Sequence, residues 1–165
     1  MERAIRFGGF VLAHAALIAS DVTEDELICP FAVITKDDRR QVVPFESDSQ
    51  AESVERGKAS LDEYKSQVDY WGLGREELWS VPEDGTEKTD VLVVSAWTHG
   101  IDDPVVLIQR FRHAATGQFL LLGAVDIVID EQVLPPDMAS ALRTLVMDGI
   151  AMHPSNVQWT SWQVH

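Results

Sequence analysis

Apolar positions along the chain change their spacing several times, and each change marks an element. Between 90 and 129 they crowd into three runs, 90–97, 105–112 and 119–129, separated by turn-forming stretches. Val91-Leu92-Val93-Val94 and Phe119-Leu120-Leu121-Leu122 are apolar at odd and even positions alike, as expected of strands buried on both faces. Gly123 interrupts the third run and predicts a bulge or a close backbone approach. These three strands are the expected core.

The upstream segments are patterned to cover it. Phe10, Val11, His14, Leu17 and Ile18 recur three and four apart, predicting a helix over 5–20 whose regular part starts near Phe10, because Gly8 and Gly9 weaken its beginning. Stretches 27–35 and 40–45 read as a hairpin about Lys36-Asp37-Asp38-Arg39, with Pro30 and Pro44 suited to a sheet edge. Ser47 to Gln50 and Ser49 to Glu52 both fit a capping box, and the stripe Val54, Leu61, Tyr64, Val68, Trp71 carries that helix on to Trp71. Gly72 and Gly74 end it, and 78–88, with Pro82-Glu83-Asp84-Gly85, is the expected connection. Pro135-Pro136-Asp137 starts a closing helix with Met138, Leu142, Leu145 and Val146 on one face and Gly149 as its stop. The tail, 152–165, carries Trp159 and Trp162, which are expected to dock on the body or on a neighbouring chain.

The order helix, strand, strand, helix, strand, strand, strand, helix predicts one α+β domain over 1–165, a five-stranded antiparallel sheet with packed helices. In element order alone, with no shared motif, it resembles roadblock and longin domains. The resemblance implies a small platform that binds partner proteins and pairs through its sheet or helices, and it transfers no functional residue.

Charge narrows the partners. With 13 basic and 27 acidic side chains the net charge is -14, which repels phosphate backbones and anionic headgroups and so argues against nucleic acid and membrane surfaces. It serves solubility, or steers a basic protein toward the surface as in inhibitor and immunity proteins. Arg3, Arg6 and the apolar stretch 7–19 mimic a signal segment, but Glu2 dilutes the positive end, His14 interrupts the run, and Ala13-His14-Ala15 falls in its middle. The segment is read as a structural helix. Cys29 is the only cysteine, so no intramolecular disulfide forms, which fits a cytoplasmic protein.

Candidate chemistry is sparse. Of His14, His99, His113, His153 and His165, no two stand three or four apart as a helical metal pair would. His99 with Asp102 and Asp103 is the most ligand-like cluster and the alternative pocket of a small enzyme or ligand-binding protein; a solvated turn is the plainer expectation. His14 is expected in the core with a hydrogen-bond partner, and Cys29 as a small buried thiol. Asp126, among Val125, Ile127 and Val128, is expected to be solvated or paired with an arginine. Arg110 and Arg112 share a strand face and, with Trp159 and Trp162, are the candidate partner contacts. GxSxG, GxxxxGK[ST] and GxGxxG are all missing from the sequence. The expectation is therefore a non-enzymatic protein-binding module, of adaptor or immunity type, with another protein or a second copy in a homodimer as partner, and with no catalytic residue, metal or cofactor.

Overall fold

In the computed structural model, which describes residues 1–22, 26–80, 88–114 and 117–164, the chain folds around helix α1 (Glu2–Asp21). By length and composition α1 would pass for a membrane span, but most of its surface is buried in the protein. It lies against the sheet on one side and helix α3 (Pro136–Ala151) on the other, so its apolar residues are covered nearly all round.

The other elements are β1 (Phe31–Lys36), β2 (Arg39–Pro44), α2 (Gln50–Tyr64), β3 (Tyr70–Ser80), β4 (Lys88–Thr98), β5 (Val105–Arg112), β6 (Leu120–Ile129), β7 (Gln132–Val133), α4 (Asn156–Trp162) and β8 (Gln163–Val164). The sheet runs β2-β1-β3-β4-β5-β6-β7, antiparallel throughout, and β8 adds to β6 in parallel. The α+β class and the antiparallel sheet stand as expected. The five strands do not: the sheet has eight among the described residues, and with them the roadblock-like and longin-like element order is lost.

The correction centres on β3. Helix α2 ends at Tyr64 rather than Trp71, and Gly72 and Gly74 lie inside a strand instead of closing a helix. Residues 78–80 belong to that strand as well. The stripe was nonetheless a burial signal, because Leu61, Val68 and Trp71 share one cluster with Ala32, Phe45, Leu73 and Trp97 under α2. The Trp71 indole donates to Ser60 Oγ at 3.1 Å, tying strand to helix.

Alternation along each strand sorts the two faces. Phe31, Val33, Leu92, Val94, Ala96, Val105, Leu107, Phe111, Leu121 and Ile127 meet α1 in the main core. Gly72 and Gly74 stand on that face because a side chain there would strike Val11 and the Phe31 ring. Gly9 and Gly149 let the backbones of α1 and α3 touch. Helix α1 is therefore regular from Glu2, and its glycines mark a crossing.

Other expectations fare variously. Ser49 caps α2, accepting from the Glu52 amide at 3.2 Å. The bulge at Gly123 is present, with φ +74, and Gln109 fills it by donating to the Leu122 and Gly123 carbonyls. β2 is an edge, but β1 is interior, between β2 and β3; Pro30 lies just ahead of it and accepts from the Phe45 amide. Thr23-Glu24-Asp25, the segment holding Pro82-Glu83-Asp84-Gly85, Ala115-Thr116 and His165 lie outside the described residues.

Candidate anion-binding site

Basic side chains gather at one corner of the sheet. β1 and β2 are joined by the two-residue turn Asp37-Asp38, both at positive φ, which fixes the hairpin register. That register sets Thr35 opposite Arg40 on β2, and the β1–β3 ladder sets Thr35 opposite Tyr70, so the three form one rung on the α1 side. Arg3 and Arg6, three apart on α1, come down on the same rung. With Phe7, Phe10, Asp38 and Met152 these residues line a cavity of about 310 Å³.

Aromatic rings hold the guanidinium groups in place. Arg3 Nε donates to the Tyr70 hydroxyl at 2.8 Å, and its guanidinium lies 5.2 Å from that ring's centre. Arg40 sits 4.0 Å over Phe10. Among the described residues none of Arg3, Arg6 and Arg40 has a carboxylate within ion-pair distance, although Asp38 is in the same wall. Thr35, also in the wall, has a buried Oγ1 with no hydrogen-bond partner. Three arginines held in no ion pair, beside an unmet polar atom, suit an anion with oxygen atoms.

Behind Phe10 stands a histidine pair, His153 buried and His14 half-buried. The Phe10 and His153 rings lie 4.9 Å apart, and His153 Nε2 is 3.1 Å from His14 Nδ1. The Ser155 amide and hydroxyl donate to His153 Nδ1 at 3.0 and 2.7 Å, so the proton of the neutral ring is on Nε2 and points to His14. Burial, then His14, then Arg40 lower the His153 pKa to about 4, and burial lowers that of His14. His14 is thus the partnered core histidine its helix position predicted.

The residues singled out by sequence do not converge here. Arg110 and Arg112 do share a face, exposed, on the side of the sheet away from α1. Trp159 is buried in the main core and Trp162 packs edge-on against Phe119 at 5.0 Å, so both dock on the chain's own body. His99 donates to the Val68 carbonyl at 2.9 Å and stands against Trp97, while Asp102 and Asp103 are exposed in the next turn. Their ligand atoms do not gather; among the described residues the one such gathering lies at the far end of β3. Asp126 is partly exposed, 3.8 Å from Arg143. Cys29 is a correction: it is exposed, because it faces outward between Ile28 and Pro30, which are the buried positions of that segment. Sequence reasoning missed Arg3, Arg6, Arg40, Thr35 and Tyr70, for which the i,i+3 arginine pair on α1 was the one local signal.

No family model matches the chain, and no curated protein or solved structure matches it.

Proposed function

We propose that this is a non-enzymatic, cytoplasmic binding protein whose site takes a phosphate or carboxylate group carried on an apolar or aromatic body. The observation that carries the reading is the convergence of Arg3, Arg6 and Arg40 on one cavity of a chain with net charge -14. Guanidinium groups match such anions in shape and in donor number. Phe7, Phe10, Tyr70 and Met152 supply the apolar walls, and the volume is at the small end of ligand pockets, roughly 300 to 1,000 Å³. The ligand's sign is the opposite of the one that net charge favours. Its source is an acidic small molecule or an acidic terminus of a partner protein.

The test is titration of the full chain with the anionic aromatic dye anilinonaphthalene sulfonate, followed by displacement with pyrophosphate. Losing two charge-assisted contacts should weaken both by tenfold or more in the Arg3→Gln/Arg40→Gln double variant, at about 1.5 to 3 kcal/mol per contact. Arg110→Gln/Arg112→Gln should bind as the parent does. Equal binding by both double variants would sink the proposal. A protein captured from cell extract and released by pyrophosphate would identify a protein source; pyrophosphate binding without capture would identify a small molecule.

A further inference from the structure

The same face of the sheet carries a second, unrelated group at the other end of β3. Strand parity puts Glu76 of β3 beside Leu92, and Asp90 of β4 beside Phe111, both on the α1 side. His113 follows β5 by one residue, two beyond Phe111, and turns its ring the same way. Two neighbouring strands and the residue that follows a third thus bring a carboxylate, a carboxylate and an imidazole to one point, although they are far apart in sequence.

We propose that Glu76, Asp90 and His113 form a three-ligand site for a divalent first-row transition ion, zinc in the first place, with the remaining coordination left to water. His113 Nε2 lies 2.5 Å from Glu76 Oε1 and 3.8 Å from Asp90 Oδ2, and one ligand atom from each residue fits within 4.8 Å of the other two. Zinc bonds to nitrogen and oxygen of about 2.0 to 2.2 Å in a tetrahedral shell put neighbouring ligand atoms about 3.3 Å apart, between the two measured separations. To admit the ion, the Glu76–His113 contact opens and the Asp90 carboxylate draws in toward the ring.

The anchoring is that of a prepared site. The Ile28 amide donates to Glu76 Oε2 at 3.2 Å, which holds one carboxylate oxygen and leaves the other toward His113. The Glu76 side chain is wholly buried, with the Ile28 amide and the His113 ring as its polar neighbours. A carboxylate in that position gains from a divalent cation more than a surface one does. Asp90 and His113 are 33% and 19% exposed, so the ion has an entrance on their side. Two carboxylates with a neutral imidazole give a charge of −2 matched by the ion. One nitrogen among the ligands favours zinc over magnesium, which prefers an all-oxygen shell with several waters. The rival is a plain buried Glu76–His113 ion pair, to which metal makes no difference.

Isothermal titration of the chelator-stripped full chain with zinc chloride, and separately with magnesium chloride, tests the site. Zinc should bind one per chain, with magnesium at least tenfold weaker, and cobalt(II) should give a visible d–d band. Asp90→Asn, at the exposed edge, leaves the Glu76–His113 pair in place and should weaken zinc tenfold or more, as should His113→Gln. His153→Gln should leave zinc binding unchanged, since its ring belongs to the pair with His14. No zinc binding beyond that of magnesium, unchanged binding in Asp90→Asn and His113→Gln, or loss in His153→Gln would overturn the proposal.

Discussion

His153 sets how the molecule answers to acid. Its folded pKa of about 4 stands against an ordinary 6.5, because burial, His14 and Arg40 all oppose a charge there. Between those values the unfolded chain takes up protons that the folded chain refuses. The sign follows: the neutral pair's contribution is complete above about pH 6.5 and is lost as the pH falls through about 4. At about 1.4 kcal/mol per pH unit the loss is on the order of 3 kcal/mol. Urea midpoints should therefore drop between roughly pH 6.5 and pH 4, and the drop should be shallower in His153→Gln; parallel profiles would show that this ring does not titrate as described. Only half of this arrangement was legible in sequence. The helical position of His14 announced a core histidine, whereas its partner lies 139 residues away in a tail with no periodicity.

At the scale of elements, the crossing of α1 and α3 depends on two missing side chains. A methyl on Gly149 would run into the Arg6 carbonyl and the Phe10 amide, and one on Gly9 into the Val146 carbonyl. Backbone cannot give way without parting the helices, so Gly149→Ala should cost about 1 to 3 kcal/mol or more despite alanine's better helix propensity. Gly57→Ala meets side chains rather than backbone, the end of Leu73 and the edge of Phe45, and should cost less; equal urea midpoints for the two variants would refute the crossing as the cause. The same glycines explain what the hydrophobic pattern concealed. Gly8 and Gly9 read as a frayed helix start and Gly72 and Gly74 as a helix stop, because propensity sees a glycine's backbone and not the neighbour that fills its place. In β3 the alternation Trp71, Leu73, Arg75 is regular on one face, but the other face reads Gly72, Gly74, Glu76, which has no apolar signal at all. With β3 hidden, the parity that brings Glu76 to Asp90 and Tyr70 to Thr35 was hidden too, and with it both sites.

For the whole molecule, 27 acidic against 13 basic side chains make self-repulsion the dominant long-range force. Screening should relieve it, so thermal midpoints measured by calorimetry should rise from about 0.02 M to about 0.5 M sodium chloride as the Debye length shortens. A fall would mean that local pairs such as Arg75–Glu77, at 3.2 Å, outweigh the net charge. The class of the fold was readable from the chain because burial has a period. The sites were not, because each is assembled by register between strands, and register is a property of pairs of segments.

The burial of α1 also has a consequence in time. Most of the surface that covers it belongs to β3, β4, β5 and α3, all later in the chain. During synthesis at about 5 to 20 residues per second, α1 leaves the ribosome on the order of ten seconds before α3 does. For that interval a 20-residue apolar helix is without its native contacts, in view of chaperones and of the machinery that sorts nascent chains to membranes. Its final place in the core is reached only when the last strands and α3 close over it, so the fate of this protein is decided late in its synthesis.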